Sequence, residues 1–355
     1  MATPRIDRIE QNFIINGAMD FWQRVVAATS SLASGDTEYT ADRFFSSNQG
    51  ATAKTIEVSR DTDVPSAAAS GLAALYSHKT EVTVAAGSLA NAADLLTPLD
   101  QRIEGLNYAA MHGKKVTVGF WFKASVAGSY TLALNGAAFT RSYVTTFSVA
   151  SNAWTYISKT IQLENSGSYN LSNGVGLELT IGAISGSSFS TGVLDQWQTG
   201  NYYSAASSVN WAATLNATIR IALVSVVNGD RSQLGSFARA GRNISEELEL
   251  CQRYYEKSYD QATALAAATA EGAESYVAAN AFMRPMINFK TRKRAQPAIT
   301  LYGWTSGTVG VAERDGGTQV ALGSETLGER SFTTQGNGHT DGAEYRFQWQ
   351  ASAEL

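Results

Sequence analysis

Between Thr55 and Val227 the chain repeats one pattern: short runs in which apolar or β-branched residues alternate with polar ones, broken by clusters of Gly, Ser and Asn. Alternation of period two places successive side chains on opposite faces, which only a pleated strand does. Thr55–Val58, Glu81–Val84, Lys115–Lys123, Tyr130–Leu134, Val144–Val149, Trp154–Leu163, Val175–Ile181 and Thr218–Val227 read as strands in this way. No helical segment alternates with them, so a doubly wound parallel sheet is not expected. The pattern predicts an antiparallel jelly-roll β-sandwich.

One helix interrupts the strands. Ser245-Glu246-Glu247-Leu248 reads as its start, with Ser245 as N-cap and acidic residues in the first turn. Leu248, Cys251 and Tyr255 then share one face, which makes Cys251 a small buried hydrophobe rather than a nucleophile. The alanine-rich Gln261–Glu274 suits either a longer helix or a linker. Beyond it, Tyr276–Phe282, Ala298–Tyr302, Thr308–Val311, Thr318–Leu322 and Glu344–Trp349 form a second strand series. The expected organisation is an arm and docking segment over 1–38, the sandwich over 39–240, helix and linker over 241–274, and a small β domain over 275–355.

Composition narrows the function. Only 16% of the 355 residues are charged, against about 25% in ordinary domains. A net charge of −4 argues against a broad nucleic-acid footprint. The single cysteine removes an intrachain disulfide framework and any cysteine-based zinc site. No run is long and apolar enough for a membrane helix, and the N-terminus lacks the apolar stretch of a secretory signal. The expectation is therefore a protein made in a cytoplasm, without membrane insertion.

Candidate chemistry is sparse. Asp42, Glu57, Glu81, Glu104 and Asp195 are available carboxylates, but no spacing pairs them for acid–base work. His78, His112 and His339 lie far apart, and the last two adjoin glycine, so they read as surface side chains rather than metal ligands. No catalytic residue or cofactor is expected and no metal-ligand spacing is found, while loop Asp and Asn residues leave a calcium ion open. Lys290–Arg294 is the one dense basic run; it suits contact with phosphate or lipopolysaccharide anions, but reads rather as a solvated turn or a salt bridge to acidic residues on a neighbouring subunit. Trp197, Tyr202, Tyr203 and Trp211 crowd into a polar loop. Three readings fit them: stacking on sugar rings, a subunit interface, or anchoring of the loop to its own sandwich.

Several blocks resemble a family of phage tail and tail-fibre structural proteins. Asn16-Gly17 followed by Trp22-Gln23-Arg24 is similar to the family's NGxxxxWQR opening, and Tyr39–Phe44 to its ADRW/F block, with Phe in place of the commoner Trp. Gln101–Gly105 and Lys114–Ala124 resemble two further elements. Leu250–Lys257 matches CQRYYEK, and Met283-Arg284 with Gln296–Thr300 resembles another block. The final fifty or so residues carry no resemblance, and Val25-Val26 stands where family members tend to carry Gly.

The resemblance implies a carbohydrate-binding-module-like jelly roll built into a virion appendage (tail tip, baseplate or fibre), with no catalytic residues. It implies a homo-oligomer, as a trimer, beside other phage structural proteins; host-surface polysaccharide, bound through the Trp197–Trp211 loop, is a secondary expectation. A head fibre, decoration protein or adaptor without host contact is the first alternative, and a polysaccharide depolymerase the second. Within the blocks, Asp42 and Arg43 are expected as a buried hydrogen-bonded pair and Trp22 as a plug for one end of the sandwich. Cys251, Arg253, Tyr254 and Tyr255 complete the structural motif, one tyrosine facing the core and the other a neighbouring chain.

Overall fold

A computed structural model describes residues 11–26, 30–166, 169–231, 238–239 and 241–355. The first ten residues of the expected arm and docking segment lie outside them. The chain divides into two compact units, 1–20 with 28–247 and 21–27 with 248–355. No helix among the described residues is long and apolar enough to cross a membrane.

The first unit is an antiparallel jelly-roll sandwich. Its strands are β1 (Ser30–Leu32), β2 (Asp36–Tyr39), β3 (Phe45–Gln49), β4 (Thr55–Asp61), β5 (Ser77–Val84), β6 (Leu95–Glu104), β7 (Lys115–Ala124), β8 (Gly128–Gly136), β9 (Arg141–Val149), β10 (Thr155–Gln162), β11 (Val175–Ile181), β12 (Ile184–Ser185), β13 (Ser190–Thr191), β14 (Trp197–Thr199), β15 (Ser204–Ala205) and β16 (Thr218–Asn228). One sheet has the order β1-β4-β5-β16-β7-β10, the other β14-β9-β8-β11-β6-β3-β2. Val116, Val118, Phe120 and Phe122 alternate along β7 and are fully buried. Phe122 meets Tyr130 and Phe147 with ring centroids 4.9 and 5.0 Å apart. Each such ring contributes about 1.5–3 kcal/mol on leaving water.

β6 is a central strand that nevertheless contains Pro98, which has no N–H to donate. It is tolerated because both neighbouring ladders break there. β3 skips register between Phe45 and Ser47, and on the other side β11 ends opposite Leu99 before β12 resumes opposite Leu96.

The second unit contains β17 (Tyr255–Lys257), β18 (Glu274–Val277), β19 (Phe282–Met283), β20 (Met286–Asn288), β21 (Ala298–Gly303), β22 (Val311–Glu313), β23 (Gln319–Glu325), β24 (Ser331–Asn337) and β25 (Glu344–Ser352). The long β25 pairs with β17, β18, β21 and β22. Phe289, Phe332, Phe347 and Trp349 fill its core. Residues 261–273 form turns, not a longer helix, and are tied down where Gln348 donates to the carbonyls of Thr269 and Glu271, while Glu274 opens β18. The expected Tyr276–Phe282 strand is interrupted over 278–281.

The helix spans Ile244–Gln252, and its N-cap is Asn243 rather than Ser245. The Asn243 Oδ1 accepts from the Ser245 and Glu246 amides, and Glu246 accepts from the Asn243 amide at 2.8 Å. That is a full capping box, with the glutamate three residues after the cap, where Ser245 offers only a leucine.

Candidate functional site

The resemblance blocks become internal clasps. In the first, Asn12 to Gly17 lies along a bulge in β16, where Leu223 has φ 55° and pairing with β7 skips register. Asn12 donates to the Val224 carbonyl and accepts from the Val226 amide, and Val224 donates to the Gly17 carbonyl at 2.8 Å. A Cβ on Gly17 would sit 2.1 Å from the Val224 oxygen, so glycine is the only side chain this approach admits.

The same segment is held by groups from the other blocks. Gln101 exchanges two 2.9 Å hydrogen bonds with the Ile15 backbone. Asn16 donates its side-chain amide to the Asp42 carbonyl and its backbone amide to Glu247. Arg242 donates to the carbonyls of Asn12 and Ile14. Asp42 and Arg43 are each 1% exposed, as expected, and the Arg43 guanidinium donates to the Arg102 carbonyl on β6 at 2.7 Å.

The second clasp belongs to the second unit. Trp22 falls in that unit and is 3% exposed. Lys257 Nζ donates to the Gln23 carbonyl at 2.8 Å and to those of Gln261 and Thr263. Tyr254 and Tyr255 are both buried within the chain, so neither ring reaches out toward a neighbouring molecule. Cys251 is fully buried, and the Arg253 carbonyl accepts from the Arg294 amide. The basic run is an internal partner: Lys293 and Glu256 form an ion pair with no solvent exposure at either side chain. Arg292 pairs with Glu329, and Arg294 donates to the Ala353 and Glu354 carbonyls.

The aromatic loop separates into anchors and partly open rings. After β11 the chain crosses the outer face of its sheet as a strap that includes β12 to β15. Trp211 is fully buried and donates to the Gly182 carbonyl, and Tyr203 is 7% exposed against Leu95 and Ala183. Both are loop anchors and cannot stack on a sugar. Tyr202 is half-buried against Ala133, Val144 and Ala205. Trp197 is half-buried at the sheet edge, 5.7 Å from Tyr143 and donating to the Gln162 carbonyl.

Under the strap lies a charged cluster that spacing does not reveal. Register sets Asp100 opposite Thr180 and Arg102 opposite Glu178 across β6 and β11. Arg102 pairs with Glu178 at 2.6 Å, and Thr180 and Thr97 donate to Asp100. Burial and the neighbouring Glu178 charge push the Asp100 carboxyl up to about 8. Burial, then Glu178, also raises the Tyr203 phenol. The one signal in the sequence is Glu178 within the mostly apolar Val175–Ile181, whereas Asp100 stands among Thr97, Gln101, Arg102 and Glu104 and is not singled out.

The expected carboxylates are not assembled into a set. Asp42 and Glu104 are each 1% exposed, Glu57 faces Glu81 across β4 and β5, and Asp195 accepts from Thr145 in the strap. His78 and His339 are buried, not on the surface. His78 bonds Thr40 at 3.0 Å, and burial lowers its pKa to about 3. No three His, Cys, Asp or Glu side chains among the described residues group as metal ligands would.

No family model matches the chain. No curated protein matches it. Among solved structures, the chain is similar to a family 11 carbohydrate-binding module from Clostridium thermocellum in complex with a β-1,3-1,4-mixed-linked tetrasaccharide. That match has 8% identity over 58% of this chain and 100% of the other, with a TM-score of 0.29. TmCBM61 in complex with β-1,4-galactotriose matches at 12% identity over 62% of this chain and 99% of the other, TM-score 0.25. A family 16 carbohydrate-binding module matches at 11% identity over 48% and 84%, TM-score 0.25.

Proposed function

We propose that this chain is a non-catalytic building block of a phage virion appendage, a tail-tip, baseplate or fibre component whose sandwich adheres to host-surface polysaccharide. The observation that carries this reading is the fate of the resemblance blocks. Asn12–Gly17, Asp42-Arg43, Gln101, Trp22–Arg24 and Tyr254–Lys257 hold distant parts of the chain together, and all of them except Arg24 are buried. A component of a particle needs such clasps, because a segment that peels from its sheet exposes an unpaired edge.

Acid–base chemistry requires groups within hydrogen-bond reach of a substrate. Asp100 and Glu178 are each 2% exposed beneath the strap, and of the partly exposed Glu57 and Glu81, which face each other across β4 and β5, Glu81 is engaged by Lys79. That supports adhesion over depolymerisation. Immunogold electron microscopy of purified virions with an antibody against this chain tests the reading. Label on the tail or its fibres is expected. Label over the capsid would favour a head fibre or decoration protein, and absence from the particle would overturn the proposal. Release of reducing ends from capsular polysaccharide would overturn the non-catalytic part. The homotrimer that the resemblance implies is checked by sedimentation equilibrium, where a lone subunit at micromolar concentration would remove it.

A further inference from the structure

One side of the sandwich carries an unbroken run of partly exposed aromatic and polar side chains. It lies where the edge strands of the two sheets, β14 and β10, are joined by the Trp197 indole N–H donating to the Gln162 carbonyl at 2.8 Å. Trp197 and Tyr143 form one ring pair, with centroids 5.7 Å apart. Tyr169 and His112 form another, with centroids 5.3 Å apart. Arg141 and Glu164 lie between the pairs. Arg141 Nε and Nη2 donate to the two Glu164 oxygens at 2.8 and 2.5 Å, Nη1 donates to Thr199 at 3.0 Å, and the Tyr169 hydroxyl donates to Glu164 at 2.6 Å. All six side chains are partly exposed.

We propose that this strip is a binding site for an extended, neutral polysaccharide segment, with sugar rings stacking on the two aromatic pairs and hydroxyls read by Arg141 and Glu164. The inference rests on the adhesive reading above and gives it a place and a ligand class. Two features favour this occupant. Aromatic faces alternate with polar groups, which suits a sugar's apolar ring face and its rim of hydroxyls rather than a protein's apolar side chains. The charges also discriminate. The Arg141 cation is engaged by a carboxylate, and Asp195 lies exposed beside the strip, accepting from Thr145. Within the strip the one arginine is thus already matched by a carboxylate, and the exposed Lys114 and Lys115 stand at its border rather than between the ring pairs.

The test is a microarray of purified bacterial O-antigen and capsular polysaccharides, neutral and acidic, followed by titration of the full chain with fragments of the best binder. Trp197→Ala and Tyr169→Ala are each expected to weaken affinity at least tenfold. Trp197→Phe keeps a ring and is expected to retain affinity within about threefold, and unchanged thermal midpoints would separate lost contacts from lost fold. Should Trp197→Ala unfold, saturation-transfer NMR on the unaltered chain must still show contact between ligand and the Tyr143 or Tyr169 ring protons. Preference for acidic glycans would overturn the ligand class. Binding that both alanine variants retain within twofold would overturn the strip while leaving adhesion standing. A chain that retains no polysaccharide would remove both readings.

Discussion

The guanidinium of Arg24 lies 3.6 Å from the centre of the Tyr255 ring, while its Nη1 and Nη2 donate to Glu354 at 3.1 and 3.2 Å. Two sequence blocks more than two hundred residues apart thus meet in one contact, closed by the last strand's tail. A planar cation suits both partners at once, because it stacks on a ring with its face and bonds a carboxylate with its edge.

Replacing Arg24 with Ala should therefore destabilise the second unit by about 1–3 kcal/mol, the range of a partly desolvated cation–π contact with a charged hydrogen bond. Arg24→Lys should recover less than half of that loss, since an ammonium has no face to stack. Urea denaturation followed by Trp fluorescence reads both variants.

Gly17→Ala should damage the first unit out of proportion to one methyl group. Its Cβ would meet the Val224 oxygen at 2.1 Å, so the clasp or the β16 bulge must shift. A loss of more than about 3 kcal/mol is expected, beyond what most single substitutions cost. Ala18→Gly is the control, with a loss of only about 1 kcal/mol on the same reading.

Acid stability should respond to His78. Burial depresses its pKa to about 3 from 6.5, so below pH 6.5 the unfolded chain takes up a proton that the folded chain refuses. The contribution is fully present above pH 6.5 and is lost as pH falls toward 3. His78→Gln should flatten that part of the curve of urea midpoint against pH, and an unchanged slope would contradict it.

Asp100 should act in the opposite sense. Its folded pKa is pushed up to about 8 from 3.8, first by burial and then by Glu178. Its contribution is fully present below pH 3.8 and is lost as pH rises through 8. Asp100→Asn, neutral at every pH, should be close to the parent at about pH 3.5 and more stable by about 1–3 kcal/mol at about pH 9, where the buried charge is removed. Thermal midpoints at the two pH values decide it.

Lys293→Met should cost about 3–5 kcal/mol, because it strands the Glu256 carboxylate in the interior. Adding Glu256→Gln should restore a large part of the loss. A double variant as unstable as the single one would show that packing, not charge, sets the cost.

Strand texture was legible wherever side chains alternate. Val175–Ile181 is found at its expected bounds, and Lys115–Ala124, Ala298–Gly303 and Glu344–Ser352 lie within a few residues of theirs. Leu95–Glu104 was not legible, because Pro98 argues against a central strand unless both neighbours break register beside it. Ser331–Asn337 carries too few apolar residues to stand out. In the candidate site, Trp197 was recognisable as an aromatic in a polar loop, but Tyr143, Arg141, Glu164 and Tyr169 were not. They come from two segments, β9 and the stretch after β10, and gather only at the sandwich side.

The sequence by itself determined the class of fold, the two β units with a helix in the chain between them, and the absence of a recognisable catalytic spacing. Only the tertiary structure decided that Trp211 is sealed while Trp197 is half open, and that Asp100 meets Glu178. It also decided that the basic run is an internal partner. The reason is physical: alternation belongs to neighbours in the chain, whereas burial and charge pairing depend on the register between strands far apart in it.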